Sequence, residues 1–260
     1  MLVLMGAAEI PDHPPTNWQL TFSDEFHTFD KSRWSTAFSN GQRHLGHHEK
    51  EMYVDPSYTG NTSTPLRLNP FSVDKDGLII RADRPSPTIR AHLEGQLYTS
   101  GVITTYRSFH QLYGYFEMRA QLPYGRGFWP TFWLLYDNTW PPEIDVVEVL
   151  GHEPTKLYMT IHWRGPDGKP RETGFQTVVP DTSKDFHTYG VLWTPTDIIW
   201  YFDDQRVANT TTPDDMHNPM WMLINLAVGG DWPGQPDAST KFPADMHISY
   251  VKAYAMPRQQ

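Results

Sequence analysis

Three carboxylates stand within six residues, in Glu143-Ile144-Asp145-Val146-Val147-Glu148, with large apolar side chains between them. Ile and Val favour a β-strand, whereas a buried carboxylate is costly unless it is paired or used. On a regular strand the faces alternate, so Glu143 and Asp145 share one face and Glu148 points to the other. One extra residue corrects this. A β-bulge within residues 145–148 turns all three acids to the same side, and bulges are enriched beside active sites. The chemistry that needs two carboxylates facing one cleft is glycoside hydrolysis, in which one acts as nucleophile and the other protonates the leaving oxygen. With the bulge counted, the Glu143 and Glu148 Cα atoms lie roughly 13 Å apart. Their side chains must then lean together to reach the roughly 5–5.5 Å of a retaining pair. The rival reading is an exposed strand whose acidic face meets only water, which the flanking sequence weighs against.

Such a strand needs a sheet and a core to hold it. The chain has 260 residues, enough to bury a substantial core, and no linker divides it. A formal net charge of −9 argues against nucleic acid or an anionic membrane as the main partner. Aromatic residues make up 14% of the chain, more than an ordinary core requires, and exposed rings are platforms for the apolar faces of sugars. A neutral polysaccharide fits both observations. With no cysteine there is no disulfide, thiolate metal site or Cys nucleophile. Residues 1–8 are apolar and end in small side chains, like the tail of a signal peptide, and are too short to span a bilayer. The expected organisation is an N-terminal lead over residues 1–17 and one catalytic domain over residues 18–256, acting as a monomer.

Short strands separated by turn signals run through most of the chain, as in a β-sandwich or barrel. The expected strands begin with Gln19 to Phe22, and residues 39–75 read as long loops. His44, His47, His48 and Glu49 in that stretch suggest a metal site, but such a cluster in a polar loop is more often solvated, so no metal is assigned. Alternation from Tyr115 to Leu122 puts Phe116, Met118, Ala120 and Leu122 on a packed face and leaves the other face wet or lining a cleft. From Lys156 to Arg164 the same logic sends Leu157, Met159, Ile161 and Trp163 inward and Tyr158, Thr160 and His162 toward a cleft. Further strands are expected at Leu78–Arg81, Thr188–Trp193, Ile198–Phe202, Met220–Val228 and Ile248–Ala255. There is no long amphipathic helix and no solenoid or propeller repeat. The fold class is all-β with antiparallel sheets.

Several segments are specific enough to carry a resemblance: Ser100-Gly101-Val102-Ile103-Thr104, Tyr113 to Arg119, Gly127 to Leu135, the acidic strand, and Asn225 to Gly234. Together they make the chain, from about Trp18 to Tyr254, resemble glycoside hydrolase family 16, the laminarinase and lichenase group. The residues around the acids look most like bacterial enzymes that cut β-glucans or succinoglycan-type exopolysaccharides. The resemblance implies a β-jelly-roll sandwich of two antiparallel sheets with a concave substrate cleft. It also implies retaining endo-β-glycanase activity on β-1,3/β-1,4-linked glucan or a bacterial exopolysaccharide, with Glu143 as nucleophile, Glu148 as acid/base and Asp145 assisting. Trp129, Trp133 and Trp232 match aromatic positions of the glycone side, and His162 and Asn225 join them as substrate-binding candidates. An activity on external polymers implies a secreted or periplasmic enzyme. Two departures limit what carries over: many laminarinases have Arg where Val102 stands, and the family's structural calcium could use Glu25 but meets Ser249 where Asp is usual. Two alternatives remain: a non-catalytic carbohydrate-binding jelly roll, and a transglycosylase with the same catalytic residues.

Overall fold

The computed structural model describes residues 10–137 and 139–257. The apolar segment read as a signal-peptide tail lies outside the described residues. In chain order β1 (Gln19–Asp24), β2 (Glu51–Tyr53), β3 (Phe71–Asp74) and β4 (Gly77–Ala82) precede one turn of helix, α1 (Pro87–Arg90). Next come β5 (Tyr98–Ser100), β6 (Val102–Thr104), β7 (Gly114–Gln121), β8 (Phe128–Leu135), β9 (Glu143–Glu148), β10 (Lys156–Arg164) and β11 (Pro170–Val178). The chain closes with β12 (His187–Trp193), β13 (Asp197–Phe202), β14 (Gln205–Thr211), β15 (Trp221–Val228) and β16 (Ala244–Ala255).

Two antiparallel sheets make the sandwich. One runs β14-β13-β12-β7-β16-β4-β3, with β1 also paired to β16; the other runs β11-β10-β9-β8-β15-β6. A short parallel pair, β2 with β5, lies beside them. The alternation read at Tyr115–Leu122 and Lys156–Arg164 holds: Phe116, Met118, Ala120, Leu122, Leu157, Met159 and Ile161 all lie in the shared core. Apart from Ala120, each such side chain contributes roughly 1.5–3 kcal/mol when fully buried. The opposite face of β7 contributes nothing to the cleft that holds the acids. Tyr115 packs there with Leu192, Ile199 and Tyr201, and Ile10 and Trp18 cover that cluster.

Residues 10–17 contain no regular element but are held against this outer face. Tyr201 donates its hydroxyl to the Pro11 carbonyl at 3.0 Å, and Arg206 meets Asp12 at 2.7 Å.

The strand β11 was not foreseen from sequence. It is an edge strand with exposed and half-buried residues alternating along a polar segment, so no apolar run marks it. Asp203 and Asp204 both adopt positive φ, 46° and 62°, in the tight turn joining β13 to β14.

Candidate active site

The strand β9 lies between β8 and β10, and both pairings slip by one residue at the same place. Against β8, Thr131 faces Glu148 and Phe132 faces Val147, but Trp133 faces Asp145. Against β10, Tyr158 faces Glu148 and Thr160 faces Asp145. Val146 is therefore the extra residue of a bulge, as the spacing of the acids requires. Val146 and Val147 are consecutive, yet both sit in the core between the sheets. The opposing sheet braces this point: Trp200 on β13 donates its indole N–H to the Asp145 carbonyl at 2.9 Å. A bulge interrupts the ladder, and the indole gives this buried carbonyl a partner.

Glu143, Asp145 and Glu148 all open into one cleft of about 720 Å³. Trp129 donates its indole N–H to Glu148 Oε1 at 3.1 Å, and Trp140 donates to Glu143 Oε2 at 3.0 Å. Each outer acid thus has its own indole. His162, paired with Glu143 across β10, brings Nε2 to 3.4 Å from Asp145 Oδ2 and 3.7 Å from Glu143 Oε1. Its other nitrogen faces Glu172 of β11 at 3.9 Å.

Burial sets the charges. It is the largest influence on Glu148, followed by the Glu143 charge, and together they push its pKa up to about 8 against the hydrogen bonds from Trp129 and Thr160. Burial and then the Glu148 charge raise Asp145 to about 6, opposed by His162. Burial and then Asp145 push Glu143 well up, while His162 and the Trp140 N–H favour its charged form. Burial disfavours the His162 cation, but Asp145, Glu143 and Glu172 outweigh it and its pKa rises. At neutral pH this cluster holds more protons than free carboxylates would.

The predicted aromatics divide into two kinds. Trp232 is 43% exposed and packs its ring at right angles to Trp129, with centroids 5.5 Å apart, and edge-on to Tyr158 at 4.7 Å. Trp129 and Trp232 line one corner of the cleft, and Tyr158, expected there from the strand alternation, supports Trp232 from outside the lining. Trp133 is only 8% exposed and belongs to a second apolar cluster with Phe38, Tyr53, Val102, Trp221 and Leu223. It still lines the cleft floor. Asn225 also reaches the cleft, but its side chain is already engaged: Oδ1 accepts from Thr131 Oγ1 at 2.6 Å and Trp133 Nε1 at 2.8 Å, and Nδ2 donates to Tyr53 at 2.9 Å.

Three neighbours escaped the sequence reading. Trp140, 54% exposed, bonds Glu143 and lies 5.6 Å from the His162 ring. Arg164 pins its loop by donating to the Trp140 carbonyl at 2.9 Å. The signal available was Trp140 itself, three residues before Glu143. Glu172 came with the unforeseen β11, and Tyr53 with the short β2.

Glu143, Asp145 and His162 bring ligand atoms within 4.8 Å of one another, close enough to chelate an ion, yet these are the groups glycoside chemistry would itself occupy. The calcium expectation concerned a different place. Glu25 Oε1 lies 3.5 Å from the Lys252 ammonium, and Asp76 in the same depression is held by Lys75 at 2.8 Å. A hard cation wants several free oxygen ligands, and two of the three carboxylates here, Glu25 and Asp76, already face a lysine, so no calcium is proposed at this depression.

Comparison with known proteins gives one consistent answer. The model of the family described as Glycosyl hydrolases family 16 matches residues 60–252. An endo-1,3-1,4-beta-glycanase, EglC, of Rhizobium meliloti (strain 1021) is 46% identical over 91% of this chain and 51% of its own length. The chain thus spans about half the length of the first curated relatives it matches. A beta-glucanase of Rhodothermus marinus is 33% identical over 92% of this chain and 85% of its own. Among solved structures, the laminarinase catalytic domain of Thermotoga maritima superposes with a TM-score of 0.76 at 30% identity, covering 94% of this chain and all of that domain.

Proposed function

Since the chain belongs to glycosyl hydrolase family 16, we propose that it is a retaining endo-β-glycanase that cuts a neutral β-glucan with 1,3 and 1,4 linkages by double displacement. One observation carries the reading: the bulge at Val146 turns Glu143, Asp145 and Glu148 into a single cleft, although a regular strand would hide Glu148 in the core. A surface that only binds sugar has no use for three largely buried acids, whose burial costs free energy.

In this proposal Glu143 attacks the anomeric carbon while Glu148, kept protonated by burial at neutral pH, protonates the leaving oxygen. Glu148 then takes a proton from the water that hydrolyses the glycosyl-enzyme. A charged nucleophile requires the proton shared by Glu143 and Asp145 to sit on Asp145. The Trp140 N–H favours charge on Glu143 alone, whereas His162 favours charge on both acids, so the proton must pass from the more basic Glu143 to Asp145 before attack. Trp232 and Trp129 offer rings to the sugar faces, Trp133 supplies the floor, and Asn225 holds Trp133 in place.

The linkage follows the names of the relatives and one local fact. Val102 is fully buried beneath the cleft floor, so position 102 offers the substrate no polar contact and strict β-1,3 preference is not part of the proposal. In this proposal the polymer lies outside the cell, so the protein acts outside the cytoplasm, and it is read as a monomer that needs no cofactor. Among the described residues no helix is long and apolar enough to cross a membrane.

The test is digestion of lichenan, laminarin, agar, carrageenan and succinoglycan, following viscosity and reducing ends together. Endo-cleavage of lichenan lowers viscosity well before reducing ends accumulate, and Glu143→Ala abolishes both changes. Binding without cleavage of any of these polymers would overturn the reading. Products longer than the substrate at high acceptor concentration would reassign it to glycosyl transfer.

A further inference from the structure

Two more glutamates lie out of water beside the cleft. Glu51, on β2, is fully buried, and Glu49, which lines the cleft, is 5% exposed. Glu51 Oε2 accepts the Val228 amide at 2.7 Å, but Glu51 Oε1 and Glu49 Oε2 have no hydrogen-bond donor. The two carboxyls are within hydrogen-bond reach of each other. A proton shared between the two carboxyls supplies the donor that these oxygens lack.

A row of polar groups runs from this pair to the cleft floor. Tyr53 stands two residues from Glu51 on β2, where the Glu51 carboxyl bears on its hydroxyl, and that hydroxyl accepts from Asn225 Nδ2 at 2.9 Å. Asn225 Oδ1 in turn accepts Trp133 Nε1 and Thr131 Oγ1. Trp133 and Thr131 stand on β8 opposite Asp145 and Glu148. The bonds also have a direction. A phenol that accepts from the Asn225 amide keeps its own proton for the Glu51 side, and the amide that donates to it turns its oxygen toward Trp133.

We propose that Glu49 and Glu51 share a proton and, through Tyr53 and Asn225, act as positioning residues that fix Trp133 on the cleft floor. Without that proton two charges would stand side by side in a dry pocket, where repulsion is strong. The carboxyls then separate, and the Tyr53–Asn225–Trp133 chain loses its fixed direction. Burial raises the pKa of both acids, that of Glu49 to about 7, so the change falls near neutral pH. His44 is the basic side chain that bears on Glu49, and Lys50, between the two acids in sequence, lays its stem against Gly229. Tyr98 stands beside Glu51 across the β2–β5 pair, and Val228 of β15 offers only its amide.

The effect on substrate rests on the glycanase reading, but the behaviour of the Trp133 indole does not, and this separates the two in experiment. The probe is the Trp133 Nε1–H cross-peak of ¹⁵N-labelled, glucan-free protein, assigned by its loss in Trp133→Phe. A Glu148→Gln background removes the titration of that acid, and Asp145 titrates alike in every protein compared. The peak should shift with a midpoint near 7, and the shift should vanish when Glu49→Gln supplies a permanent donor to Glu51. Tyr53→Phe, which cuts the same chain further along, should also abolish it and serves if Glu49→Gln does not fold. In protein with Glu148 intact, the KM for glucan should rise roughly three- to tenfold above the midpoint, the scale of one lost hydrogen bond, and stay flat in Glu49→Gln. A parent peak without that midpoint, or one that keeps it in either variant, would overturn the proposal whether or not glucan is cut.

Discussion

Trp129 donates its indole N–H to Glu148 Oε1 at 3.1 Å, so a ring offered to sugar also sets the acidity of the proposed acid/base. The bond favours the charged carboxylate and holds the pKa of Glu148 below the level burial alone would give. Trp129→Phe keeps a ring and removes the donor. The basic limb of kcat/KM, expected near pH 8, should move up by about one unit. A pH profile with that limb unmoved, or shifted down, contradicts the role given to Trp129.

The same burial makes Glu148 a cost to the fold. Its folded pKa, about 8, lies above the ordinary glutamate value of 4.5, so the unfolded chain releases this proton first as pH rises. The associated stability is fully present below pH 4.5 and is lost progressively toward pH 8. Glu148→Gln should therefore match the wild type near pH 4 and exceed it at pH 8 by a few kcal/mol at most, or several degrees in Tm. Thermal melts at the two pH values decide the matter; a variant less stable than wild type at pH 8 would mean that Glu148 is well compensated in the native state.

Much of this site was legible in the sequence because the acids break a rule the rest of the strand obeys. Ile144, Val146 and Val147 demand a strand, and three acids on a strand demand a common face, so the bulge follows. His162 was legible from the alternation of β10 alone. The strand β11 was not, since a solvated edge strand carries no apolar signature. Trp140 escaped because a Trp before two prolines reads as a loop anchor, and only coordinates show its N–H on Glu143. Asn225 was placed at the cleft by its motif, but sequence has no means of revealing that Thr131, Trp133 and Tyr53 already occupy its amide.

Asp145 and Glu143 contend for one proton, and the Asp145 charge raises the pKa of Glu143. Asp145→Asn removes that charge and leaves an amide able to donate to Glu143. The acid limb of kcat/KM should move to lower pH, because Glu143 then ionises more readily. If the limb rises or stays where it was, Asp145 does not couple to the nucleophile.

Trp232 is 43% exposed and touches the protein mainly through the edges of Trp129 and Tyr158. Trp232→Ala should weaken oligosaccharide binding about tenfold, the scale of one lost aromatic contact, and move Tm by no more than about two degrees. Calorimetric titration in the Glu148→Gln background measures the first and a thermal melt the second. Unchanged affinity with a large fall in Tm would make the ring part of the core.

The division of labour between Glu143 and Glu148 is the centre of the account, and azide rescue tests it most directly. With an activated aryl β-glycoside, Glu148→Ala can still form the glycosyl-enzyme on Glu143, since a good leaving group needs little protonation. Azide needs no general base and should then restore turnover and give a β-glycosyl azide of retained configuration. In Glu143→Ala no covalent intermediate forms, so azide attacks the sugar directly and should give the inverted α-azide. Product stereochemistry read by NMR separates the two variants. Retained product from Glu148→Ala and inverted product from Glu143→Ala is the predicted result; the same configuration from both, or the two reversed, would contradict the assignment even if each glutamate proved essential.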